Sequence, residues 1–153
     1  MVVPKFTAFI HANGIPGLAR TLRAAHTAPD ILVVHNGDSA VERLCLRYGA
    51  RGKIYVPGVT LGAYAMDAFH DWLLLLRPGE ELSQETIGAL AEWRRRRDDD
   101  CAGYLIRSGA GDRPQLRFVN RAMVNWIGEL PPIPTNAGVF PGAIIGTDMS
   151  RAA

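Results

Sequence analysis

An arginine, a proline and a glycine, Arg77-Pro78-Gly79, follow directly on the apolar run Trp72 to Leu76, and Glu80-Glu81 come next. A buried strand running into a charged turn is where an open α/β sheet keeps its ligand crevice, outside the carboxyl ends of the strands. Two further apolar runs end in polar side chains: His11 and Asn13 close Phe6 to Ala12, and His35 and Asn36 close Ile31 to Val34. Imidazoles and amides at neighbouring strand ends can titrate near neutral pH, ligate a transition metal or hydrogen-bond a nucleobase. For a metal, no third ligand stands at a recognisable position.

Other chemistries are disfavoured by what the chain lacks. Asn13-Gly14-Ile15-Pro16-Gly17 does not have the Gly-x-Gly-x-x-Gly spacing that brings a pyrophosphate against a helix, and no acidic residue ends the second strand to hold a ribose. That argues against a dinucleotide-dependent dehydrogenase. No Ser or Cys sits on a strand-to-helix elbow. Cys45 and Cys101 form no Cys-x-x-Cys or Cys/His pattern, so zinc is not indicated and a reducing cytosol is the expected compartment. The basic run Arg94 to Arg97 is followed at once by Asp98 to Asp100, which reads as a solvated helix end and not as a nucleic-acid patch. A net charge of +2 names no partner either.

The elements that would position these residues alternate. Phe6 to Ala12 is β-prone, and Leu18, Leu22 and Ala25 then fall at helical spacing. Ile31 to Val34 is a strand of buried type, followed by a helix capped by Asp38 or Ser39 and stopped by Gly49. Lys53 to Val56 gives a short third strand, Leu61 to Phe69 a helix-like crossover, and Trp72 to Leu76 the fourth strand. Ser83 caps a further helix reaching Trp93. Strand-like runs then dominate, at Ala102 to Ile106, Gln115 to Val119 and Asn125 to Ile127, while Pro131 to Pro141 reads as loop. Alternation first and strands later imply a three-layer α/β/α domain, its parallel sheet extended by antiparallel strands in the last third. At 153 residues, 48% of them hydrophobic and 21% charged, the chain suits one domain over 1–153. The N-terminal apolar run is too short and polar for a leader or a membrane span.

Several phrases, in order, resemble family 2 glycosyltransferases of the GT-A fold. Thr7 to Asn13 is similar to that family's first strand, and Val33-Val34-His35-Asn36-Gly37-Asp38-Ser39 stands where it has Val-Val-Asp-Asp-Gly-Ser. Arg47-Tyr48-Gly49-Ala50 and, in part, Val59 to Ala63 follow the same pattern. Asp71 to Leu76 looks like the family's Gly-Asp-Trp-Ile-Leu-Phe-Leu strand, which aligns Arg77-Pro78-Gly79-Glu80 with Asp-Ala-Asp-Glu. Gln115 to Arg121 and Asn125 to Glu129 resemble the lipopolysaccharide-core branch, although Leu130-Pro131 replaces its His-Glu pair.

The resemblance implies a Rossmann-type mixed sheet that binds a nucleotide or nucleotide sugar through His11, Asn13, His35, Asn36 and Arg77. It also implies that the usual divalent cation has lost its carboxylates, since Arg77 cannot ligate it and Gly79 has no side chain. No metal or other cofactor is expected, and Glu80 and Glu81 are expected to be solvated charges at a helix start. Candidate catalytic residues are then Arg77, whose guanidinium suits a departing diphosphate, and Glu129 as a carboxylate base; Asp112 is available but unplaced. Transfer that is weak, metal-independent or lost is one reading. The other is a binding or assembly module on a degenerate GT-A fold, acting as a homodimer or beside a partner glycosyltransferase in the cytoplasm.

Overall fold

Strand β1 (Phe6–Ala12) alternates its side chains between two apolar clusters, sending Phe6, Ala8, Ile10 and Ala12 to one face of the sheet and Phe9 to the other. The computed structural model describes residues 5–95, 100–108 and 113–146. After β1 come α1 (Leu18–Ala24), β2 (Asp30–His35), α2 (Ser39–Tyr48), β3 (Arg51–Ile54), α3 (Leu61–Ala65) and β4 (Trp72–Leu76). The second half holds β5 (Glu81–Leu82), α4 (Gln84–Trp93), β6 (Gly103–Ser108), β7 (Pro114–Asn120) and β8 (Gly138–Ile145). Together the strands form one mixed sheet in the order β3-β2-β1-β4-β7-β6-β8-β5.

Strands β1 to β4 are mutually parallel, as the alternating pattern predicts, and β7 joins β4 antiparallel. Local chemistry sets the helix ends. The Asp38 carboxylate accepts the Ala40 N–H at 2.8 Å to start α2, and Gly49, at φ 69°, turns the chain so that the Ala50 N–H reaches the Cys45 carbonyl at 2.8 Å. Ser83 Oγ accepts the Thr86 N–H at 3.3 Å and opens α4. On the α1, α2 and α4 face, Phe6, Trp72, Trp93 and Phe118 interlock, with Trp93 edge-on to Phe118 at 4.7 Å between ring centres.

Two sequence expectations fail. Asn125 to Ile127 is not a strand: it belongs to a loop tied to α3, where the Thr60 hydroxyl donates to the Ile127 carbonyl and the Gly62 N–H donates to the Gly128 carbonyl at 3.0 Å. Conversely, Pro131 to Pro141 is not all loop, because β8 begins at Gly138 and runs through Pro141-Gly142. The β6–β8 register jumps there, from Leu105 opposite Val139 to Arg107 opposite Ala143, so the bulge absorbs the proline and glycine. Among the described residues, no helix is long and apolar enough to cross a membrane. Asp112 and residues 96–99 of the charge run lie outside the described residues.

Candidate functional site

The turn after β4 is held from several sides. Arg77 donates its backbone N–H to Glu80 Oε1 at 2.6 Å, while the Arg77 carbonyl accepts from the Glu80 N–H at 3.0 Å and from the Thr21 hydroxyl at 3.0 Å. Gly79 donates its N–H to the Gly17 carbonyl at 3.0 Å. Both glycines have positive φ, 92° and 76°, and a Cβ on Gly17 would stand 2.6 Å from the Gly79 nitrogen. The turn is therefore docked on the first residues of α1, and its glycine serves close backbone approach.

Glu80 is not a solvated helix-start charge, contrary to expectation. It is buried and paired with Arg117, their side chains 9% and 5% exposed. Glu81 lies in β5 and pairs with Arg20 at 2.6 Å. The short strand β5, paired with β8, begins directly after Glu80.

Arg117 reaches Glu80 because β7 carries a bulge. Tyr104 of β6 pairs with Phe118 and Leu105 with Leu116, which leaves Arg117 as the extra residue. Its Nη2 donates to Glu80 Oε2 and its Nη1 to the Leu75 carbonyl at 3.3 Å. Nε is buried with no hydrogen-bond partner among the described residues. Burial pushes the Arg117 pKa down from its ordinary value; the Glu80 carboxylate opposes this and the nearby Arg77 charge adds to it.

Above this pair opens a cavity of about 530 Å³, within the range of small-molecule sites. It lies at the carboxyl ends of β1 and β4, with Phe9, Leu75 and Trp126 among its apolar walls. His11, Asn13, Arg77, Arg117 and Glu129 bring the charged and polar groups. Glu129 follows Gly128, whose carbonyl also accepts the Trp126 indole N–H at 2.9 Å, so the loop pinned to α3 sets the carboxylate at the rim. Tyr55 links this carboxylate to the histidine: its hydroxyl donates to Glu129 Oε1 at 3.4 Å and its ring stacks on His11 at 5.2 Å. Burial lowers the His11 pKa from the usual 6.5, against the raising effect of Glu129. Arg77 itself is exposed, and its guanidinium has no ion-pair partner among the described residues.

Of the residues singled out in the sequence, His11, Asn13, Arg77 and Glu129 line this one cavity. His35 and Asn36 are not part of its lining. The parallel register explains His35: His11 stands opposite Val34 and His35 opposite Ala12, so the two imidazoles face opposite sides of the sheet and do not converge. His35 is buried, and its Nδ1 accepts the Gly37 N–H at 3.0 Å. Asn36 is exposed, and its Oδ1 accepts the Asp38 N–H at 3.2 Å. Arg117 and Tyr55 were not singled out as site residues. The signal for Arg117 was an arginine inside the apolar run Leu116 to Val119.

The resemblance to GT-A glycosyltransferases implies a divalent cation at the end of β4, and the residues there do not fit one. Both Glu80 oxygens are engaged, by the Arg77 N–H and by Arg117. Gly79 offers no side chain, and no three His, Cys, Asp or Glu residues cluster among the described residues.

No protein-family model matches the sequence, and comparison with curated proteins found no relative. Solved structures do match the fold. S. aureus TarS 1–349 in complex with UDP-GlcNAc superposes with a TM-score of 0.66 at 11% identity, over 94% of this chain and 58% of that one. The same S. aureus fragment without ligand in its description gives 0.64 at 13% identity, over 94% and 60%. A complex of that fragment with UDP gives 0.52 at 14% identity, over 72% and 38%. The chain thus spans less than two thirds of the length of these proteins, and at such identities the likeness carries the fold alone: an α/β mixed sheet of GT-A type, with antiparallel strands late in the chain.

Proposed function

We propose that this chain binds a nucleotide or nucleotide sugar in the cavity at the ends of β1 and β4, without a divalent cation. It is a cytoplasmic, family 2-like member of the lipopolysaccharide-core branch, in which transfer is weak, metal-independent or lost. The observation that carries the reading is the position of Arg77, an exposed guanidinium at the mouth of a GT-A crevice, beside His11 and Asn13. A guanidinium neutralises diphosphate oxygens with paired N–H donors, which is the electrostatic work that a cation does elsewhere. Where transfer persists, the bond from the sugar's anomeric carbon to the diphosphate oxygen breaks and one to an acceptor hydroxyl oxygen forms. Glu129 takes the hydroxyl proton, and the electron pair leaves with the nucleoside diphosphate. Arg77-Pro78-Gly79 carries no carboxylate for metal-dependent transfer, which favours a second reading, a binding or assembly module that acts as a homodimer or beside a complete enzyme.

Titration with UDP, GDP and their sugars, with and without Mn²⁺, tests the proposal. Binding is expected in the absence of metal, weakened about tenfold by Arg77→Ala, the loss of roughly 1.4 kcal/mol. An absence of nucleotide binding sinks it and leaves the assembly reading. Release of free sugar or a glycosylated product distinguishes residual transfer from binding alone.

A further inference from the structure

We propose that Arg117, together with Arg77, forms a two-arginine subsite for a diphosphate, and that the Glu80 carboxylate is its internal stand-in until the anion arrives. The inference rests on the nucleotide reading above but names the group that takes the place of the metal.

Three observations point to it. Arg117 is 4% exposed, yet it lines the cavity, so its charge is held at the cavity floor and not in solvent. A guanidinium has five N–H donors in a planar fork. Here Nη2 meets Glu80 and Nη1 a carbonyl, while Nε has no partner among the described residues. That nitrogen is itself sealed from the cavity, so the donor an anion would take is Nη2, which Glu80 now holds. Second, Arg77 lines the same cavity, and the two cations repel across it. Glu80 offsets part of that repulsion from the Arg117 side, and an anion in the cavity would offset the rest from the open side. Third, Glu80 spans the two residues, with Oε1 on the Arg77 N–H and Oε2 on Arg117. Its carboxylate occupies donors that a diphosphate oxygen would use, and the Arg77 N–H keeps it within reach when it yields them.

A pair that merely fastens β7 to the turn behaves differently, and the difference can be measured with inorganic pyrophosphate and UDP in metal-free buffer with a chelator. Glu80→Gln removes the competing charge at a cost in stability, because Arg117 loses its buried counter-ion; with folding verified by circular dichroism and a cooperative melt, pyrophosphate affinity is expected to rise about threefold, whereas a fastening role predicts no gain. Arg117→Met alone leaves Glu80 buried and unpaired, and the fold suffers. The paired change Glu80→Leu with Arg117→Met replaces both charges with apolar groups of similar size, which folded proteins often tolerate. With folding verified by circular dichroism and a cooperative melt, it is expected to weaken pyrophosphate at least about tenfold. Unchanged pyrophosphate affinity in the paired variant, or no gain in Glu80→Gln, overturns the inference while leaving nucleotide binding intact. Pyrophosphate binding that follows Arg117, without any preference for UDP over pyrophosphate, supports the subsite and counts against a nucleotide. If the wild-type chain binds neither, both readings fall.

Discussion

The parallel strands carry a buried carboxylate and an arginine at each end, and the two pairs are built differently. At the amino end Asp30 accepts from Thr7 Oγ1 at 2.7 Å, from Arg51 Nε and Nη2 at 2.9 and 2.8 Å, and from the Phe69 N–H at 3.0 Å. Arg51 also donates to the Asp67 carbonyl at 3.1 Å and lies 3.6 Å over the Phe69 ring. No ligand is needed to complete that arrangement. At the carboxyl end both members are buried, Arg117 at 5% and Glu80 at 9% side-chain exposure against 30% for Arg51, and Arg117 borders a cavity that a second cation enters. A pair closed by backbone and hydroxyl donors fixes loops to strands; a pair that borders open space has donors for which a ligand can compete.

The sharpest way to break this comparison is to treat both ends alike and look for unlike responses. Asp30→Ala leaves Arg51, the Thr7 hydroxyl and the Phe69 N–H without their acceptor and is expected to destabilise the fold by about 3 kcal/mol, measured by urea unfolding. Nucleotide affinity of the remaining folded fraction should not change, because Asp30 lies at the far end of the strands. If Asp30→Ala weakened UDP binding as much as Arg77→Ala does, the division between the ends would be wrong.

Acid probes the same end. Burial alone would raise the Asp30 pKa, but the Arg51 hydrogen bonds, the Phe69 N–H and the Thr7 hydroxyl together hold it below the usual 3.8. A carboxylate depressed in the folded state contributes stability that is present above 3.8 and is lost as pH falls through its lower folded value. Acid unfolding monitored against Asp30→Asn should show that the variant lacks this component of the pH dependence.

Gly17 couples the turn to α1 and offers a smaller effect that reads on both stability and site. Gly17→Ala meets a left-handed backbone at φ 76° and a contact of 2.6 Å with the Gly79 nitrogen. The expected cost is about 2 kcal/mol, with weaker nucleotide binding because the Arg77 turn must shift. Gly49→Ala, at φ 69° with nothing within 4 Å of its Cβ, is the control: strained backbone, no clash, and no change in affinity.

How far the sequence disclosed these features follows from the range of the interactions that make them. Trp72 to Leu76 and Phe6 to Ala12 were legible because buried parallel strands need continuous apolar runs, and both matched the observed bounds. Strand β8 was hidden because Pro141-Gly142 reads as a breaker, and only the bulge against β6 reconciles it with pairing. Arg117 was hidden for the same reason, since a one-residue slip against β6 decides its direction and no local pattern encodes it. The expectation that His11 and His35 converge failed on register, a relation between strands that neither strand's sequence contains. His11, Asn13 and Arg77 were accessible because strand ends in an α/β sheet fall on one side whatever the exact pairing.

The gentlest test concerns His11, where one titration should move stability and binding in opposite directions. Burial lowers its pKa below the usual 6.5, with Glu129 opposing. A histidine depressed in the folded state is kept neutral there, so its contribution to stability is complete above 6.5 and is lost as pH falls from that value through the lowered one. A diphosphate in the cavity reverses the preference, because it stabilises the imidazolium, and affinity should therefore rise over the window in which stability falls. A nucleotide sugar is the right probe, since its diphosphate diester has no proton to lose near neutral pH, unlike UDP. The expected gain is small, about threefold over the window, as fits a half-buried charge with partial screening. His11→Gln should flatten both curves. A wild-type affinity that fell with acid instead would place the anion away from His11 and move the site off the β1 end of the cavity.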